Sequence, residues 1–349
     1  MIRTPKASTS WQRNTLRTAA VVFFAIATTV VMTAGAYAQR MRSETTIVVP
    51  RYSAGAATNG SELYLSQVGF SGPGLVNAYS VPGGSLLRQN SAYPGMLFEL
   101  AYDPARNVIF AADGWGIHVY NAADMSYAGY IDVGASTVGL AFEPKSGRLF
   151  AGVRGTTMAG DRAVFVIDPS SGARIAEIAS GAVYATNLAV DLATGRVLVG
   201  EHGRIRIFDG SSLQVLADLT TPLAASDSLY ALHGQTIFLA GKRSQDVVRV
   251  DATTGSVIDS ASVGPASAIA LDAKGKTLWV SHRAAGAACD TIDITCPYVV
   301  SKFKARDLSM RSSGSEALLD YPYPQYHHIT VVGKRAVFTA FRSEKAVIS

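Results

Sequence analysis

An all-β fold, a ring of four-stranded antiparallel blades, is predicted by three observations. First, one hairpin phrase of about 16 residues recurs along the chain: ELAYDPARNVIFAADG from Glu99, GLAFEPKSGRLFAGVR from Gly139, NLAVDLATGRVLVGEH from Asn187 and SAIALDAKGKTLWVSHR from Ser267. Second, the second strands of these hairpins begin at Leu63, Ile109, Leu149, Val197, Ile237, Leu278 and Val337. Their mean spacing is about 46 residues, the length of a β-propeller blade. Third, apolar residues make up 48% of the chain and charged residues 16%, with 32 glycines, the balance of a turn-rich β-protein with a large core. A lone hairpin cannot bury its apolar faces, so the copies must pack on one another.

The chain opens with a segment that is not fold. Met1 to Arg17 is polar and basic, Thr18 to Thr33 is an apolar run, and Ala36-Tyr37-Ala38 supplies small residues for cleavage. This is the order of a secretory signal peptide over residues 1–38. An uncleaved anchor is the alternative, but the run is short for a span of about 20 residues. Four basic residues and no acid lie in 1–38. The formal charge of +5 (31 Lys and Arg against 26 Asp and Glu) therefore falls to 27 against 26 in residues 39–349. The near balance gives no reason to expect nucleic-acid binding, or stable membrane insertion after cleavage. The expected location is the periplasm or the cell exterior. Cys289 and Cys296, with six residues between them in one loop, are expected to pair there, closing a small loop worth about 2–3 kcal/mol.

Each hairpin is followed by a third strand: LVNAYSV from Leu75, IHVYN from Ile117, AVFVID from Ala163, IRIFD from Ile205, VVRVD from Val247, VVSKFK from Val299 and KAVIS from Lys345. Asp168, Asp209 and Asp251 end three of these and lead into Ser, Thr or Gly turns. An Asp there accepts the backbone N–H two residues on. Asn121 takes the place in its blade, and Lys304 breaks the pattern. A fourth strand follows, as in IAEIA from Ile175. The seventh copy stops at KAVIS, and the β-branched Thr45–Pro50 segment TTIVVP is predicted to supply its missing outer strand, closing seven blades into a single domain over 39–349 and removing free edges. The second position of each second strand (Tyr64, Phe110, Phe150, Leu198, Phe238, Trp279, Phe338) is read as interblade core rather than an aromatic ligand box.

With TLWVSH-type hairpins, VxVID-like strands, Asp-x-x-Thr/Ser-Gly turns and Val-Gly steps at Val133-Gly134 and Val263-Gly264, the mature chain resembles the YVTN-type β-propeller repeats of exported bacterial proteins. That resemblance implies the fold and leaves function open, because such propellers serve many roles. It extends to the propeller chains of quinoprotein amine dehydrogenases, which implies a docking subunit beside a catalytic partner.

Candidate binding residues cluster at one predicted face. The tip after the second strand is Val68 and Gly114 in the first two copies and Arg154, His202, Lys242, Arg283 and Arg342 in the last five, an arc suited to an anionic small molecule or an acidic protein partner. Solvated strand tips paired with Asp113, Glu201 and Glu344 are the alternative. Trp115, in the turn Asp113-Gly114-Trp115-Gly116, and the loop bearing Tyr323, Tyr326 and His327 belong to the same face; tyrosines covering an interblade gap are the alternative there. No lipase elbow, zinc-protease pair, phosphate loop or dinucleotide fingerprint is present. The sequence names no catalytic residue, metal or cofactor. The expected function is an exported binding or scaffold propeller, against a docking subunit of a quinoprotein-type dehydrogenase and a propeller hydrolase or lyase.

Overall fold

The computed structural model describes residues 45–48, 53–67, 74–90, 95–154, 162–178, 188–201, 204–220, 228–241, 244–283, 298–315, 327–332, 335–340 and 345–348. Strand β1 (Thr45–Val48) comes first. Blade one follows as β2 (Ser53–Thr58), β3 (Glu62–Gln67), β4 (Leu75–Ser80) and β5 (Leu86–Gln89). Blade two is β6 (Leu100–Asp103), β7 (Val108–Ala112), β8 (Gly116–Asn121) and β9 (Tyr127–Asp132). Blade three is β10 (Ser136–Glu143), β11 (Arg148–Arg154), β12 (Arg162–Asp168) and β13 (Ala173–Ile178). Blade four is β14 (Leu188–Asp191), β15 (Arg196–Glu201), β16 (Arg204–Asp209) and β17 (Val215–Thr220). Blade five is β18 (Ser228–His233), β19 (Thr236–Gly241), β20 (Asp246–Asp251) and β21 (Val257–Ser262). Blade six is β22 (Ala266–Leu271), β23 (Thr277–Arg283), β24 (Tyr298–Lys304) and β25 (Met310–Ser315).

These six blades are continuous antiparallel meanders. The sequence predicts seven blades, with the 45–50 segment as the outer strand of the last; six blades are continuous, and the predicted pairing is present over Thr45–Val48 in the remaining sheet. The remaining four-stranded sheet is composite: β26 (His327–Val332), β27 (Arg335–Ala340) and β28 (Lys345–Ile348) take β1 as the outer strand, with Thr45 opposite Ile348. The reason is hydrogen bonding. The open edge of β28 needs a partner, and the β-branched run Thr45–Val48 provides it.

Inner strands pack blade against blade in the order β2, β6, β10, β14, β18, β22, β26 and back to β2. Each of these contacts has its own apolar core. Tyr64 and Ile109 fill the one between blades one and two, Leu198 and Ile237 the one between four and five, and Leu65 and Val337 the one between the composite sheet and blade one. The second strands lie inside these cores on both faces, which is why their apolar runs are continuous rather than alternating. Tyr64, Phe110, Phe150, Leu198, Phe238, Trp279 and Phe338 are all buried, so the fixed bulky position is core, as read from the sequence. Outer strands present one face to solvent. Among the described residues no helix is long and apolar enough to cross a membrane.

The turns between third and fourth strands of blades one to five share an i to i+4 backbone bond whose closing residue has positive φ; in blade six the Asp307 N–H donates to Lys304 O and the equivalent Leu308 has positive φ. Glycine fills that place at Gly84, Gly172 and Gly255, but Met125, Leu213 and Leu308 fill it in alternate blades. A long side chain is strained in this region by about 1 kcal/mol or more. Met125 and Leu308 are buried in interblade cores and Leu213 packs against one, so apolar burial offsets the strain. Asp168, Asp209 and Asp251 accept the N–H groups two residues ahead at 2.9–3.0 Å, as expected. Two turns use a different carboxylate. In blade two Asn121 instead donates to Ser126 Oγ while Asp124 accepts the Ser126 N–H. In blade six, where Lys304 replaces the acid, Asp307 accepts the Ser309 N–H at 3.0 Å.

Candidate functional site

The loop between β7 and β8 is built around one carboxylate. Asp113 Oδ1 accepts the backbone N–H groups of Trp115 at 2.8 Å and Gly116 at 2.6 Å, and Asp113 Oδ2 lies 2.9 Å from His118 Nε2. Both side chains are buried. With Nε2 protonated, His118 donates to a carboxylate that is itself committed to the turn. The imidazole packs against Tyr130 at 5.0 Å and Tyr127 at 5.9 Å between ring centres, and stacks on Tyr120. Gly114 holds φ +87, a left-handed conformation that a side chain disfavours. At Gly116 an added Cβ would stand 2.6 Å from Ile131 O, so the backbone approaches β9 too closely for any other residue. The turn is therefore rigid, and it pushes Trp115 outward to 72% exposure. Tyr127 and Tyr130 are exposed on the neighbouring outer strand, so three aromatic rings lie exposed on blade two.

Glu99 precedes β6 where blade two meets blade one. Its Oε1 accepts the Leu100 N–H at 3.4 Å, and the Ala56 N–H also donates to the carboxylate. Burial pushes its pKa up to about 7 despite these donors, because removal from water disfavours the anion.

The predicted cation arc is only partly visible. Arg154 and Arg283 are the last residues of β11 and β23, equivalent places in blades three and six. The Arg283 side chain is partly buried. Its backbone N–H donates to Pro265 O and its carbonyl accepts from His282 Nδ1 at 2.8 Å. The side chain of Arg154, and all of His202, Lys242 and Arg342, lie outside the described residues, as do Tyr323, Tyr326, Cys289 and Cys296 and the 1–38 segment. His327 is placed only as the first residue of β26, opposite Ala340. His282 is structural: Nε2 accepts from Ser301 Oγ at 2.8 Å, and burial holds its pKa below the usual histidine value. Among the described residues no three His, Cys, Asp or Glu side chains are grouped to hold a metal.

Sequence reading passed over a second set of carboxylates, at the ends of the inner strands. Asp103, Glu143 and Asp191 are all buried there. Asp191 bonds the Ala193 N–H and Thr194 Oγ1 of its own turn, then reaches the Gly234 N–H of blade five at 2.9 Å. The recurring phrases AYDP, AFEP and AVDL carry this signal. His233 replaces the acid in blade five, with Nδ1 3.7 Å from Asp191 Oδ1. The ends of β14, β18 and β22 enclose a cavity of about 180 Å³ beside these groups.

No protein-family model matches the chain, and no curated protein matches it. Among solved structures, it is similar to the β-propeller domain of Cps50 (Swd1) from Myceliophteria thermophila. The TM-score is 0.62 at 10% identity, over 88% of this chain and 98% of that one. The chain is a β-propeller. At that identity the likeness extends to the propeller's architecture alone.

Proposed function

We propose that this propeller is an exported, non-enzymatic binding protein of YVTN-repeat type. In this reading it docks a protein partner on the face that carries the loops between second and third strands, with the composite sheet closing the ring as a seventh blade. The observation that carries the binding face is Trp115. Large aromatic side chains presented on a fixed backbone are the commonest anchors of protein interfaces, because little conformational entropy is lost when they are buried. Trp115 has that character: an exposed indole on a turn locked by Asp113, with Tyr130 against the following Gly116. Arg283 and Arg154 end equivalent strands, and with His202, Lys242 and Arg342 they would favour an acidic partner surface. The basic, apolar and small-residue order of residues 1–38 supports export.

The test is site-specific photo-crosslinking in cells, with a benzophenone amino acid placed at Trp115 or, as a control, at Thr253 on the opposite turns. A discrete adduct from position 115, weakened by Arg283→Ala with Arg342→Ala, is expected. Equal cross-linking from position 253, or none from 115, overturns the binding face. Retention of Met1 in the mature protein overturns export.

A further inference from the structure

On the opposite face, a groove of about 460 Å³ lies between blades four and five. Its size is that of a small-molecule site. Arg196, Asp209, Ile207, Leu216, Gln235 and Thr253 line it. Arg196 and Asp209 sit directly opposite each other on β15 and β16. Opposite charges at such paired positions ordinarily meet, but here each is engaged elsewhere. Arg196 Nε donates to Thr194 Oγ1 at 3.2 Å, and its Nη2 stands 3.8 Å from Asp191 Oδ2, beyond hydrogen-bond reach. Nη2 is buried with no hydrogen-bond acceptor among the described residues. Asp209 uses Oδ1 for the Ser211 and Ser212 N–H groups and Ser212 Oγ. The described residues provide no hydrogen bond to its Oδ2, and these donors hold its carboxyl below the usual range. Nη2 is sealed beside Asp191, but the Arg196 side chain keeps 13% exposure, so the groove offers the outer edge of the guanidinium and an anionic acceptor side by side, with the exposed Leu216 in its lining.

A lone anion would meet Asp209, and a lone cation would meet Arg196. We infer that the groove binds an aliphatic α-amino acid or a zwitterion of the same layout. The carboxylate engages the outer edge of Arg196, the ammonium engages Asp209, and the side chain rests on the exposed Leu216. Gln235 and Thr253, joined at 3.0 Å, form the polar rim. This site is independent of the Trp115 face, and either can fail without the other.

The probe is leucine, titrated into the full chain by calorimetry or ligand-observed NMR. Isocaproate, which lacks the ammonium, and isopentylamine, which lacks the carboxylate, serve as comparisons. Saturable leucine binding is expected, with each analogue weaker by about tenfold or more, since each leaves one charge of the groove without its partner. Arg196→Gln should weaken leucine by about tenfold. Because Arg196 also supports Asp191, a second variant guards against misfolding. Leu216 is exposed, and Leu216→Ser should weaken leucine by about threefold while leaving glycine binding unchanged. No saturable leucine signal, equal binding of isocaproate, or full affinity in both variants overturns the assignment.

Discussion

The Asp113 carboxylate accepts a hydrogen bond from His118 at 2.9 Å through one oxygen and fixes the Trp115 and Gly116 N–H groups with the other. One buried pair thus sets the geometry of Trp115, the most exposed large aromatic ring among the described residues. Asp113→Ala strands three donors at once and should cost about 3 kcal/mol. Trp115→Ala touches none of them and should change stability by about 0.5 kcal/mol or less. Urea midpoints of the two variants separate the roles. A Trp115→Ala loss as large as that of Asp113→Ala would make the indole a structural element rather than a presented one.

Asp191 joins two blades. Its carboxylate is nearly sealed from solvent and receives Thr194 Oγ1 at 2.6 Å and Gly234 N–H at 2.9 Å, with Arg196 beside it. Asp191→Ala leaves those donors without their acceptor and the buried Arg196 charge without its counter-ion, at a cost of about 3–5 kcal/mol. Hydrogen exchange should show the loss concentrated at the blade-four to blade-five junction, with Gly234 among the amides that lose protection. Unchanged exchange at Gly234 would show that the contact does not bridge the blades.

Met125 tests the trade between strain and burial. Met125→Gly removes a buried side chain worth about 2–3 kcal/mol and relieves about 1 kcal/mol of left-handed strain. The net loss should be about 1–2 kcal/mol by thermal or denaturant melting. A larger loss, of about 4 kcal/mol, would mean that the left-handed backbone carries no strain here.

The blade pattern was legible because it rests on local chemistry: apolar runs long enough for a buried strand, and Asp at the turns after β12, β16 and β20. Where the acid moves within its turn, to Asp124 or Asp307, position-by-position alignment misplaces it, since the backbone N–H can be reached from more than one residue. Asp191 was overlooked for a different reason. Its importance lies in the Gly234 N–H, 43 residues on, and nothing local to AVDL announces that bond. The same holds for the groove at Arg196 and Asp209. The sequence contains both residues, but their lack of mutual contact is a property of packing. Trp115 was legible because Asp-Gly-Trp-Gly between two strands leaves the indole nowhere to go but outward.

Glu99 gives a pH dependence of stability whose sign is fixed by its environment. Burial raises its folded-state pKa from 4.5 to about 7, so the folded protein holds this proton more tightly than the unfolded chain does. The resulting stability is fully present below about pH 4.5 and is lost as pH rises through about 7. Carried through the linkage relation, the loss by about pH 8 is on the order of 2–3 kcal/mol. Other groups act in the opposite sense. Asp168 and Asp307, both lowered to about 2 by hydrogen bonds from neighbouring Ser residues, add stability that is lost as pH falls. His282, buried and held below its usual value, also penalises acid. The wild-type profile alone therefore mixes slopes, and the difference between wild type and Glu99→Gln isolates one of them. Glutamine keeps the acceptor for Leu100 and Ala56 without the charge. Glu99→Gln should match wild type near about pH 4 and exceed it by on the order of 2–3 kcal/mol at about pH 8. Denaturant melts at a series of pH values measure this directly. A difference that is flat from acid to alkali would mean that Glu99 is solvated as an ordinary surface carboxylate.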